Sequence, residues 1–219
     1  MTIYALASGR GKAGIAVIRL SGPRVSAAVE ALTGKPAPEA GRVKLRAVRD
    51  PETGEEIDRG LVLFFKGPNS YTGEDVAEFH VHGGPAVVNR LLEAVGKIEG
   101  LRPAEGGEFT RRAFENSRLD LTRAEAIGDL VNAETEIQRR QALRQMEGAL
   151  GDLYEGWRAA VMKDLAWIEA VIDFPEEEVP VEVPDQIWAS LAKLRDGIED
   201  GRDEQDDPVE VGEIGRAHV

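Results

Sequence analysis

The chain has 219 residues, 42% hydrophobic and 31% charged, enough for one large or two small globular domains. It contains no Cys, which excludes thiolate nucleophiles, disulfides and Cys-based zinc or iron–sulfur sites. The net charge is −13 and falls on residues 119–219, where 10 Lys/Arg stand against 25 Asp/Glu; alone, that half repels a phosphate backbone.

Met1 runs straight into the strand-like Thr2–Leu6, with no basic-then-apolar leader and no apolar run near the ~18 residues of a membrane span. A cytoplasmic protein without a membrane partner is expected. Gly9-Arg10-Gly11-Lys12-Ala13-Gly14 fits G-x-G-x-x-G, but the residues behind it, Ile15–Leu20, are β-rich. A dinucleotide fingerprint needs a helix there, so a Gly-rich connection between two strands is expected instead. No G-x-x-x-x-G-K-S/T loop occurs in the chain. Ser21-Gly22-Pro23 closes the strand, and a short helix over Val25–Leu32 ends at Gly34. Val43–Val48 and Ile57–Phe65 flank the turn residues Asp50–Gly54, which predicts an antiparallel hairpin.

Gly67–Asp75 is a long polar turn, either plain surface or a functional loop. In the strand Val76–Val81, Glu78 shares a face with Val76, His80 and His82, opposite Ala77, Phe79 and Val81. Glu78 is either an exposed strand residue or an acceptor for an amino- or guanidine-like ligand edge. Two His on one face chelate a metal only with a third ligand, and none is near, so no metal site is assigned. His82 is expected to shape the turn into a helix opened by Pro85. Arg19, at the end of an apolar strand, needs a carboxylate or ligand partner if it is buried. Arg111, Arg112 and Arg118 form a basic cluster, either a solvated helix face or an anion site.

Beyond residue 119 the pattern becomes helical. Thr122-Arg123-Ala124-Glu125 reads as a capping box. An apolar stripe running from Leu143 through Leu153, Val161 and Leu165 to Ile172 predicts one or two long amphipathic helices, with Gly148, Gly151 and Gly156 as weak points. Such a stripe must bury its face against something. Phe174-Pro175 ends the stretch, and Asp185 caps a shorter helix with Ile187, Leu191, Leu194 and Ile198 on one side. The acidic residues 201–219 read as a disordered tail. Ile214–Val219 match the in-frame translation of a common sequencing adaptor, so a native chain continuing past about residue 210 is expected. The reading is an α+β domain over 1–118, an all-α bundle segment over 119–200, and a tail over 201–219.

Six motifs in order carry a resemblance: Gly14–Gly22, Gly67–Asp75, His82–Pro85, Gly107–Phe114, Leu119–Ala126 and Asp173–Glu177. Over roughly residues 2–200 the chain resembles the MnmE (TrmE) family of tRNA-modification GTPases. The resemblance implies an N-terminal domain like the tetrahydrofolate-binding domain of aminomethyltransferases. That domain binds a one-carbon folate, in the 5-formyl or methylene form, and mediates homodimerisation. It also implies a helical domain into which a Ras-like GTPase domain is inserted. With the FAD protein MnmG, the full enzyme modifies carbon 5 of the wobble uridine in tRNA, the folate supplying the one-carbon unit. The family's folate contacts fall on Arg19, Glu78 and Arg118, the last in Asn116-Ser117-Arg118 where the family usually has Asn-Gly-Lys. GTP, magnesium and potassium belong to the GTPase domain, expected beyond about residue 205, as is the family's essential Cys. The chain is therefore expected to be a fragment incompetent for GTP hydrolysis, and no catalytic residue is assigned. Alternatives are a stand-alone folate-dependent aminomethyltransferase-like protein or a non-enzymatic helical interaction module.

Overall fold

A computed structural model describes residues 1–173 and 184–206. The chain divides into two compact units, Met1–Met146 and Glu147–Val219. The first is built on six strands: β1 (Thr2–Leu6), β2 (Ala13–Ser21), β3 (Val43–Arg49), β4 (Glu56–Phe65), β5 (Val76–Gly83) and β6 (Leu101–Pro103). They form one sheet in the order β3-β4-β5-β2-β1-β6. Every neighbouring pair is antiparallel except β1 with β6, which is parallel.

Period-two alternation assigns the faces. Ile18, Leu20, Val62 and Phe79 point to one side, where α1 (Val25–Thr33) and α2 (Pro85–Gly96) cover them with Val29, Leu32, Leu91 and Val95. All eight are fully buried, each worth about 1.5–3 kcal/mol of apolar transfer. Gly34, at φ 65°, ends α1 in the left-handed conformation that a side chain disfavours. The predicted hairpin is present: Asp50 Oδ1 accepts from the Glu52 and Thr53 amides at 2.9 and 3.1 Å, closing the β3–β4 turn. Gly9–Gly14 connects antiparallel β1 to β2, so its G-x-G-x-x-G spacing belongs to a strand–strand connection.

The helical stretch departs from expectation in two ways, at the α4 cap and at the end of α7. Asp120, not Thr122, caps α4 (Leu121–Asn132), its carboxylate accepting from the Arg123 amide at 2.8 Å. Both Thr122 Oγ1 and that amide converge on Asp120 Oδ1, because Asp120 stands just outside the helix in extended backbone whereas Thr122 is already inside its first turn. The Leu143–Ile172 stripe falls, as expected, on two helices, α5 (Glu136–Met146) and α6 (Ala149–Asp173), with the break at Gly148, φ 98°, one of the weak points named from the sequence. And α7 (Asp185–Asp206) runs through residues 201–206, which are therefore helical and not part of a disordered tail. Once nucleated, a helix propagates a further turn without needing an apolar face. Residues 207–219, including Ile214–Val219, lie outside the described residues, as do 174–183 with most of the Asp173–Glu177 motif.

By contact, α4 and α5 group with the sheet in the first unit. The second unit pairs α6 with α7, burying Ile187. Leu153, Val161, Leu165 and Ile172 of the predicted stripe stay exposed on α6.

Candidate functional site

The sheet face away from α1 and α2 carries two cross-strand rows. The register places Ala5, Arg19, Glu78, Leu63 and Val43 side by side across β1, β2, β5, β4 and β3. Beside it run Val17, His80, Leu61 and Leu45. Residues directly opposite in antiparallel strands share a face and touch. Arg19 and Glu78, 59 residues apart in sequence, thereby meet: Arg19 Nε donates to Glu78 Oε1 at 2.9 Å and Nη2 lies 2.8 Å from the same oxygen. His80 Nε2 lies 3.0 Å from Glu78 Oε2. Burial pushes the Glu78 carboxyl up, but the His80 hydrogen bond and the Arg19 charge outweigh it and hold the group below the usual carboxylate range. Glu78 is thus a half-buried, ionised acceptor at neutral pH. The Arg19 guanidinium lies 5.3 Å from the Tyr71 ring centroid and 5.7 Å from that of Phe109, within cation–π range of both.

Two elements bring those rings in. The Gly67–Asp75 loop is pinned to β2 by Thr72 Oγ1 and Ser21 Oγ, 2.7 Å apart, and to the end of α3 (Glu108–Glu115) by Asn116 Nδ2 donating to Thr72 O at 2.7 Å. Tyr71 OH and Thr110 Oγ1, 2.8 Å apart, tie loop and helix again. At the root of α3, Glu108 is only 2% exposed. It accepts from Arg102 through both oxygens (2.8 and 2.6 Å), from Arg112 (3.1 Å) and from the Glu105 amide (2.9 Å). Bonding to Arg102 leads the causes that hold its carboxyl at about 2.

This network resolves the basic cluster. Arg112 is engaged by Glu74 and Glu108, and Arg111 by Glu105, so neither is a free anion site. Arg118 stands apart: exposed, its stem packs on Gly73, where an added Cβ would meet Cγ at 3.2 Å. Its guanidinium has no hydrogen bond or ion pair among the described residues. Of the three residues chosen from the sequence, the fold joins Arg19 to Glu78 and leaves Arg118 on the same loop's flank. Sequence reasoning missed Tyr71 and Phe109, and it weighed His80 only as a metal ligand. The i, i+2 spacing of Glu78 and His80 on one strand face was the available signal. His82 does not shape the helix turn: its backbone amide donates to Asp58 Oδ2 at 2.7 Å and its ring lies 2.9 Å from Asp58 Oδ1. Among the described residues no group of three His, Asp or Glu could hold a metal. A cavity of about 630 Å³ opens between Ser8–Gly11 and α2 beside Asn89 and Leu92, and it contains none of Arg19, Glu78 and Arg118. Volume alone therefore points away from the charged cluster.

Comparison with known proteins divides the chain near residue 120, not at the contact boundary after Met146. Residues 2–118 match the family described as "GTP-binding protein TrmE N-terminus", and residues 121–207 match "MnmE helical domain". A tRNA modification GTPase MnmE of Parvibaculum lavamentivorans is 54% identical over 98% of this chain and 50% of its own length. Its counterpart in Paramagnetospirillum magneticum is 56% identical over 93% of this chain and 46% of its own length. A mitochondrial 5-taurinomethyluridine-tRNA synthase subunit of Homo sapiens is 57% identical over 81% of this chain and 36% of its own. The chain spans about half the length of the bacterial relatives it matches.

Proposed function

The chain belongs to the MnmE (TrmE) family of tRNA modification GTPases, and from that premise we propose that its N-terminal unit binds a one-carbon tetrahydrofolate on the open face of the sheet. The observation that carries the reading is the Glu78 carboxylate, ionised, half-buried and flanked by Arg19 and His80. A pterin presents an aminopyrimidine edge with adjacent N–H donors, and a fixed carboxylate is the acceptor that suits it. Arg19 keeps that acceptor charged, and the rings of Tyr71 and Phe109 supply flat apolar walls. Once bound, the folate supplies a one-carbon unit. The chain's own residues bind, orient and desolvate it. These 219 residues hold no G-x-x-x-x-G-K-S/T loop, and no step is assigned to GTP here.

The same face supports homodimerisation as a proposal. Val43, Leu45, Leu61 and Ile15 are exposed on it at 50, 70, 43 and 64%, a contiguous apolar area of the kind that pairs with a second copy. Within the longer enzyme we place this unit in wobble-uridine modification of tRNA, in the cytoplasm, with MnmG as partner. Calorimetric titration of 5-formyltetrahydrofolate into the chain tests the core of the reading. Saturable binding that disappears in both Arg19→Ala and Glu78→Ala is expected. Binding that survives Glu78→Ala refutes it.

A further inference from the structure

The ion pair between β2 and β5 is lopsided. Arg19 directs both Nε and Nη2 to a single carboxylate oxygen, Glu78 Oε1, at 2.9 and 2.8 Å. Arg–carboxylate pairs commonly close into a fork, two parallel bonds using both oxygens. Here the second oxygen is occupied, because His80 Nε2 lies 3.0 Å from Glu78 Oε2. An ionised carboxylate only accepts, so the imidazole N–H is the donor. We infer that His80 is a positioning residue: its ring holds Glu78 out of a closed fork with Arg19 and keeps the carboxylate turned to receive a two-donor heterocyclic edge. The inference rests on the folate reading above and deepens it, the heterocycle being the aminopyrimidine side of the pterin.

The surroundings favour this role. Glu78 and His80 lie two residues apart on one strand face, with side chains only 15 and 28% exposed, so water competes weakly for the bond. The other charged groups on this part of β4 and β5 are already engaged. Asp58 bonds His82 at 2.9 Å, and Arg59 bonds Glu56 at 2.8 Å. Neither competes for the His80 ring. The backbone is held as well, because Leu61 sits opposite His80 and Gly60 lets β4 press directly on the His80 carbonyl. With the ring fixed and its neighbours engaged, Glu78 Oε2 is the acceptor that His80 serves. Without it, Glu78 is free to rotate and close both oxygens onto Arg19, where they no longer face a ligand.

The test uses the 219-residue chain with His80→Leu, His80→Gln and Glu78→Gln, and 5-formyltetrahydrofolate as the calorimetric probe. His80→Leu removes the donor and is expected to weaken binding by about tenfold or more, the value of a hydrogen bond to a charged group. His80→Gln restores an N–H donor of similar reach and is expected to stay within about threefold of the unaltered chain. Thermal midpoints of both variants are expected to match the parent, which separates positioning from simple packing. If His80→Leu precipitates, His80→Asn replaces it, since its amide is too short to reach Glu78 Oε2 and the same loss is expected. Unchanged affinity in His80→Leu, or equal losses in the Leu and Gln variants, overturns the positioning role. Retained folate binding in the parent, lost in Glu78→Gln but not in His80→Leu, overturns this inference alone. A parent chain without saturable binding overturns the folate reading, and this inference with it.

Discussion

Replacing Glu108 by Gln tests whether the buried acid at the root of α3 holds the Arg19 aromatic wall in place. The substitution keeps the shape and removes the charge, leaving Arg102 and Arg112 beside a neutral amide. Breaking a buried pair from one side costs about 3–5 kcal/mol. Arg102 is 36% exposed, and solvent screening brings the expected loss to about 2 kcal/mol. The pH dependence has a definite sign. The folded carboxyl titrates at about 2 against a reference of 4.5. Its contribution is therefore complete above about 4.5 and is lost as pH falls from there towards 2. Trp fluorescence cannot follow this, because Trp157, Trp167 and Trp188 all lie in the second unit. Amide hydrogen exchange across β1, β6 and α3 reads it directly. Protection in the parent is expected to fall between pH 4.5 and 2 more steeply than in Glu108→Gln, with the variant less protected throughout the neutral range. Parallel pH profiles in the two proteins would refute the reasoning.

Gly60→Ala drives a Cβ into the His80 backbone carbonyl, so a stability loss of about 1–3 kcal/mol is expected from forced backbone movement, read as a lower thermal midpoint. Asp120→Ala removes the α4 cap and is expected to cost about 1 kcal/mol, visible as increased exchange at the Arg123 amide. Leu45→Lys combined with Leu61→Lys places two charges on the open sheet face and is expected to shift sedimentation from dimer to monomer; an unchanged dimer removes that face from the interface. Arg118→Ala is expected to reduce folate affinity by less than about threefold, since the guanidinium is exposed and unpaired among the described residues. A loss equal to that of Glu78→Ala would place Arg118 in the pocket.

Local patterns were legible where the physics is local. Alternation in β5 separated Phe79 from Glu78, and Gly34 and Asp50 marked an end and a turn. The need of Arg19 for a partner was also legible, and so was the suitability of Glu78 as an acceptor. That each meets the other was not, because it depends on the β2–β5 register, set by residues about sixty positions apart. The Tyr71 and Phe109 walls were hidden for the same reason, since they come from a loop and a helix joined by Tyr71–Thr110 and Asn116–Thr72. The cap at α4 was misassigned because Asp120 and Thr122 are both good caps and compete at one terminus. The tail was misplaced because composition sees the missing apolar face but not the helix already running into it.

The place of β1 in the sheet bears on how the chain is made. Its hairpin with β2 needs only the first 21 residues, but each edge of that hairpin waits for a distant partner. On the β2 side the partner is β5, ending at residue 83, and on the β1 side it is β6, with Thr2 opposite Leu101. At roughly 5–20 residues per second of synthesis, both edges stay open for several seconds or longer. During that interval the nascent hairpin offers two unpaired rows of backbone donors and acceptors to any passing strand. Ile3 and Ile18, which end fully buried, are then still in water. A chaperone that covers nascent chains is therefore expected to engage the β1–β2 hairpin first and to release it only after residue 103 has emerged.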